Sequence, residues 1–151
     1  MLFRSSVDDA IYFFSSEKDV AKKIQPLSDV GLGYVKLGQS SDTLSGGEAQ
    51  RVKLASFLGK GRSQGSILFI FDEPTTGLHF HDIKKLLTSF NALIEQGHSI
   101  LVIEHNTDVI RSADWVIDLG PEAGDGGGNL VFAGKPAELK KCKGSYTGRF
   151  L

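Results

Sequence analysis

The sequence has little of what usually staples or anchors a small domain. Cys142 is its only cysteine in 151 residues. That excludes an internal disulfide and a zinc site built from cysteines of this chain. No apolar run approaches the ~20 residues a membrane-spanning helix needs, and no secretory signal is visible. A reducing, cytoplasmic setting without a membrane partner is therefore expected. Charge of one sign is also missing: 17 Lys and Arg against 18 Asp and Glu give a net −1, so no bulk field draws nucleic acid to the chain. Only Lys135 to Arg149 is locally basic, open to reading as a solvated tail or as a minor phosphate contact. Nowhere does Gly-Lys precede Ser or Thr. Gly59-Lys60-Gly61 and Gly134-Lys135-Pro136 both fail the phosphate-binding P-loop pattern. The length fits one domain with a core.

What is present centres on Thr43-Leu44-Ser45-Gly46-Gly47-Glu48-Ala49-Gln50-Arg51. Ser45 is a good N-cap, and Glu48 three residues on completes a capping-box pattern. Two glycines in a first helical turn cost about 1 kcal/mol each against alanine, a cost that close approach to the backbone would justify. A helix N-terminus with bare amides suits an anion; a plain capped helix after a glycine-rich turn is the alternative. About twenty residues on, Ser66 to Phe71 is a continuous apolar run ending at Asp72-Glu73-Pro74. It reads as a buried parallel strand. Carboxylates at its carboxyl end lie where α/β sheets place ligands.

The rest of the chain alternates helix and strand patterns. Helix starts are expected at Ser6 and Ser16, with Ala10, Ile11, Phe13, Phe14, Val20, Ala21 and Ile24 facing a core, and Pro26 ending or restarting the helix. Leu27 to Tyr34 continues weakly helical. A helix from about Glu48 to Leu58 would bury Ala49, Val52, Ala55 and Leu58, with Arg51 and Lys53 pointing elsewhere. Gly59, Gly61 and Gly65 mark a loop. Phe80 to Gln96 reads as an amphipathic helix, carrying Ile83, Leu86, Leu87, Phe90, Leu93 and Ile94 on its apolar face and stopped by Gly97. Ser99 to Ile103 reads as a second buried strand, Asn106 as the cap of a short helix to Ser112, and Trp115 to Ile117 as a third strand. Gly124 to Gly128 is a turn leading to Leu130-Val131-Phe132, a hairpin pattern; Glu138 to Cys142 closes the chain as a short helix. The alternation predicts an α/β fold with a parallel sheet. His79-Phe80-His81-Asp82 invites a metal reading, but spacing of two does not put both histidines on one helix face, so a surface location is expected.

Leu44-Ser45-Gly46-Gly47-Glu48 resembles the signature motif of ABC ATPases, and Ile67 to Glu73 resembles their Walker B strand with its catalytic glutamate. Leu37-Gly38-Gln39, Thr43 to Ala55, Asp72 to Phe80, Val102 to His105, Ala113 to Pro121 and Tyr146 to Leu151 are similar to the carboxyl-terminal part of the UvrA family. Members of that family are the damage-recognising ATPase subunits of the bacterial UvrABC excinuclease. The resemblance implies a partial ABC-type P-loop NTPase domain. It would be mostly parallel sheet with flanking helices, a helical amino-terminal part and a small carboxyl-terminal hairpin. Residues 1–44 would lead into the signature motif, and 45–151 would form the carboxyl-terminal half of the second nucleotide-binding domain. Ser45, Gly46 and Gly47 would close over ATP held by the opposite nucleotide-binding domain. Asp72 would hold Mg²⁺, through water, and Glu73 would polarise the attacking water. Phosphoryl transfer to water needs both a held metal and a positioned water, and one carboxylate cannot easily do both. Thr75-Thr76-Gly77-Leu78 would be the D-loop, which links two ATP sites, and His105 the switch histidine that contacts the γ-phosphate. Gln50 and Arg51 are expected behind the site or on the surface. Implied partners are the remaining UvrA domains, a second UvrA subunit, UvrB and damaged double-stranded DNA. The P-loop, the Q-loop and the cysteine zinc module would lie in the remainder of the protein, so the segment alone is expected to be inactive. Two alternatives stay open: a docking module that hydrolyses nothing, and a piece of another ABC ATPase such as a transporter motor domain.

Overall fold

The computed structural model describes residues 4–59, 65–120, 122 and 127–151. The chain divides into two compact units, Met1–Ile103 and Glu104–Leu151. This boundary falls inside the stretch 45–151 that the resemblance treats as one body.

The first unit opens with α1 (Val7–Phe13), capped by Ser6. The Ser6 hydroxyl accepts the Asp9 N–H and the Asp9 carboxylate accepts the Ser6 N–H, each at 3.1 Å. Val7 N–H donates to the Val35 carbonyl at 2.9 Å, tying α1 to the segment after the next helix. Ala10 is buried, but Phe13 is 69% exposed and Val20 is exposed, against expectation. The helix α1 is too short to turn all of its apolar residues inward. The next helix, α2 (Lys18–Asp29), runs straight through Pro26, which was expected to break it. Proline removes one intrahelical donor. Here it stands three residues before the helix end, and the Pro26 carbonyl still accepts the Val30 N–H at 3.2 Å. Its ring sits by Gly59, just past the end of α3 (Gly46–Leu58). Tertiary packing of α2 on α3 holds the helix together where local propensity would not.

Helix α3 (Gly46–Leu58), strand β1 (Leu68–Asp72), helix α4 (Phe80–Glu95) and strand β2 (Ser99–Ile103) follow. The strands pair in parallel, Leu68 opposite Ser99 through Asp72 opposite Ile103, so β1, α4 and β2 form the expected parallel crossover unit. Helix α4 buries Ile83, Leu86, Phe90 and Leu93 at helical spacing. Together with Val30, Leu32, Leu54, Ala55 and Phe71, three of these (Leu86, Phe90 and Leu93) make one core. Phe69, Phe71, Ile100 and Val102 point into it or pack against it. Within the first unit, none of the described residues covers the opposite sheet face: Ile70 is 63% and Ile103 55% exposed. The strands were expected to be buried on both faces. A continuous apolar run reports apolarity on both faces but not what covers each one.

In the second unit, Asn106 caps α5 (Thr107–Ser112), its Oδ1 accepting the Asp108 N–H at 3.0 Å. Strands β3 (Val116–Gly120) and β4 (Asn129–Gly134) pair antiparallel with a register shift at Asp118/Leu119. The third strand therefore pairs with the fourth as a hairpin, in a sheet distinct from β1–β2. The expected turn at Gly124 to Gly128 falls largely outside the described residues, as does the loop through Gly61. Helix α6 (Pro136–Leu139) starts two residues before its expected onset, because proline's fixed φ suits the first helical position. The end of the chain is tied down. Arg111 Nη2 donates to the Phe150 and Leu151 carbonyls at 2.9 and 3.1 Å. Buried Ser145 bonds the Asp118 carboxylate and accepts the Gly148 N–H.

Candidate functional site

The first unit brings together Ser45, Gly46, Gly47, Asp72, Glu73 and Thr75 to Leu78. Ser45 caps α3 in a full capping box. Glu48 N–H donates to the Ser45 hydroxyl at 3.3 Å and Ser45 N–H donates to Glu48 Oε2 at 2.7 Å. Glu48 also accepts the Tyr34 hydroxyl. The Tyr34 hydroxyl, and after it the Ser45 amide, hold the Glu48 carboxyl below its ordinary range. Burial, then the bond to Glu48, pushes Tyr34 up. The amides of Gly46 and Gly47 lie in the first turn, where a helix offers no internal acceptor.

The two glycines differ. A Cβ at Gly47 would meet Arg51 Nη1 at 3.3 Å and the Glu73 and Thr76 carbonyls at 3.5 Å, so α3 approaches the β1–α4 connection closely there. A Cβ at Gly46 would meet nothing within 4 Å among the described residues. Packing inside the chain thus accounts for Gly47 and not for Gly46. Gly46→Ala should hold or raise thermal stability of the chain, by up to about 1 kcal/mol from helix propensity. Gly47→Ala should lower it, because the tight contact falls on a guanidinium already bonded elsewhere. Melting curves of both variants check this.

Asp72 is the last residue of β1 and is exposed, as is Glu73. Glu73 N–H donates to the carbonyl of Ile103, the last residue of β2, at 2.9 Å. Glu73 has φ +46°, the single non-glycine residue at positive φ among the described residues. Two linked turns follow: Thr76 N–H to the Glu73 carbonyl at 3.1 Å and Leu78 N–H to the Thr75 carbonyl at 2.9 Å. Gly77 supplies φ +76°.

His105 opens the second unit, two residues past β2, and its N–H donates to Glu104 Oε2 at 3.0 Å. His79 is the exposed N-cap of α4, and His81 is exposed on its first turn. Among the described residues no group of three His, Cys, Asp or Glu side chains is arranged to hold a metal.

Gln50 and Arg51 both reach from α3 to the end of β1 and the residues after it. The side-chain amide of Gln50 bonds both backbone groups of Asp72, donating to its carbonyl at 3.0 Å and accepting its N–H at 3.2 Å. Arg51, expected to point away, is fully buried, and its Nη1 donates to the Pro74 carbonyl at 2.6 Å. Its Nε and Nη2 meet no partner among the described residues. Burial disfavours the charged guanidinium, while Tyr34, Glu48 and Asp82 favour it. A signal for this was in the sequence. Helical side chains lean toward the N-terminus, so Arg51 lies back over Gly47, four residues earlier, in space that only a glycine leaves open.

No protein-family model matches the chain. The UvrABC system protein A of Streptococcus pyogenes serotype M1 is 60% identical over 146 residues, and that of Agrobacterium fabrum is 58% identical. These matches take in 97% of the chain, which spans 15% of the length of those relatives. Among solved structures, UvrA2 from Deinococcus radiodurans is similar over 99% of the chain and 18% of its own, with 41% identity and a TM-score of 0.83. A bacterial Atm1-family ABC exporter with ATP bound shares the fold at TM-score 0.55 and 22% identity, over 98% of the chain and 26% of its own. Among the described residues no helix is long and apolar enough to cross a membrane. Sequence and fold agree over nearly the whole chain, which matches these UvrA proteins as a segment equivalent to 15% of the curated relatives' length.

Proposed function

We propose that this segment supplies half of an ATP-hydrolysing site in a DNA-damage-recognising ATPase of nucleotide excision repair. One observation carries the reading: the carboxylate pair Asp72–Glu73 stands at the end of a parallel strand, and the backbone of Asp72 is bonded to a helix that begins with two glycines. The open space at Gly46 suits a phosphate drawn close to the backbone. Two adjacent exposed carboxylates suit a hydrated Mg²⁺ and an activated water. The metal supplies charge neutralisation on the phosphates when bound. Asp72 holds it, Glu73 orients and polarises the attacking water, and Ser45, Gly46 and Gly47 face the nucleotide of an opposite nucleotide-binding domain. Thr75 to Leu78 acts as the D-loop and His105 as the γ-phosphate contact. Further domains and a second copy of such a protein, UvrB and damaged duplex DNA are the partners. The segment by itself, having no Gly-Lys-Ser/Thr, binds nucleotide too weakly to hydrolyse it.

The test is a chimaera in which this chain replaces the matching 146-residue segment of the full-length Streptococcus pyogenes relative. The chimaera should turn over ATP. A folded chimaera without turnover, beside an active relative, overturns the reading.

A further inference from the structure

Two side chains on one turn of α3 bracket Glu73 from behind. Gln50 engages both the N–H and the carbonyl of Asp72, at 3.2 and 3.0 Å, the pairing that a neighbouring strand would offer. Arg51, buried beside it, takes the Pro74 carbonyl at 2.6 Å. Between these anchors stands Glu73 at φ +46°. A non-glycine residue in that region costs about 1–3 kcal/mol and persists only where its surroundings impose it. The residues on either side of Glu73 are the ones α3 grips, and its own N–H is fixed to Ile103 at 2.9 Å.

We infer that Gln50 and Arg51 are positioning residues that hold Glu73 in its left-handed conformation and so set where its carboxylate stands relative to the first turn of α3. The grip acts on backbone atoms of the two residues that flank Glu73. It also makes the glycine-led turn and the carboxylate move as one body. The kinetic consequence rests on the proposed function; the conformational one does not.

The experiment has two arms. In the isolated chain, carbon-13 NMR shifts of Glu73 Cα and Cβ report its backbone region. Gln50→Ala should move them off their left-handed values. Ser56→Gly, on the exposed side of the same helix, is a control for general loss of helix stability and should leave them in place. In the chimaera, Gln50→Ala should lower kcat about tenfold, the scale of a small misplacement of a reacting group, with KM for ATP within about twofold. Ser56→Gly should change neither. Unmoved Glu73 shifts in Gln50→Ala overturn the inference. So does an unchanged kcat in a chimaera whose turnover Glu73→Gln abolishes. If Glu73→Gln leaves turnover intact, the proposed function falls, and the NMR arm alone decides the positioning role. Should Gln50→Ala not fold, Gln50→Glu serves in both arms, since it keeps the acceptor for the Asp72 N–H and loses only the donor.

Discussion

Glu73→Gln in the chimaera is expected to lower ATP turnover by about 10²- to 10⁴-fold, the range a positioned acid–base group contributes, while ATP binding persists. Glutamine keeps the size and shape of glutamate, so the strained turn at 73 and its bond to Ile103 should survive. What disappears is the negative oxygen that draws a proton from the attacking water. Asp72 cannot substitute for it, because the two side chains leave adjacent backbone positions in different directions. The separation of binding from turnover is the informative part. If the substitution weakened binding and turnover equally, Glu73 would be holding the nucleotide or metal rather than acting on water. Filter binding of labelled ATP beside a phosphate-release assay distinguishes these.

The second large effect is on stability, and its direction depends on the replacement. Arg51→Ala should destabilise the first unit by about 3 kcal/mol, from the cavity left and from the Pro74 carbonyl losing its donor. Arg51→Met should cost less than about 1.5 kcal/mol. Methionine fills most of the same volume, and it removes a buried charge with two unpartnered nitrogens. Replacing buried ionic groups with well-packed apolar ones is often neutral or better, whereas leaving a hole is not. Urea unfolding of the chain followed by circular dichroism reads this out, since α1 to α4 dominate its helical signal. Equal losses for both replacements would mean that the bond to Pro74 outweighs the desolvation of the guanidinium.

Much of this was legible in the sequence, and the reasons are specific. Strand β2 and helix α5 matched their expected bounds because Ser99 and Asn106 sit where the pattern changes period. Strand β1 and helix α4 were found to within two residues at each end. Ser45 and Glu48 announced their capping box three residues apart. The misses have a common origin: each needed knowledge of what lies on the far side of an element. Pro26 obeyed its packing on α3 rather than its own propensity. Ile70 and Ile103 read as core because apolar residues alternate invisibly when both faces are apolar. Arg51 was expected off the apolar face of its helix, behind the site or on the surface, yet it is buried beside Gly47 and reaches the Pro74 carbonyl. The sequence held both halves of that contact, four residues apart. No helical-periodicity argument assigns an arginine to a core.

The backbone at residue 73 also bears on how such a segment would change under different selection. Glycine there would relieve the positive-φ strain. A library of this chain screened for resistance to heat should therefore drift toward glycine at 73 and discard the carboxylate. The same library screened in the chimaera for turnover should keep glutamate and gather its stabilising changes elsewhere, Gly46 excepted. The position at which the two screens diverge most would identify the chemical centre of the segment without any prior assignment of its residues.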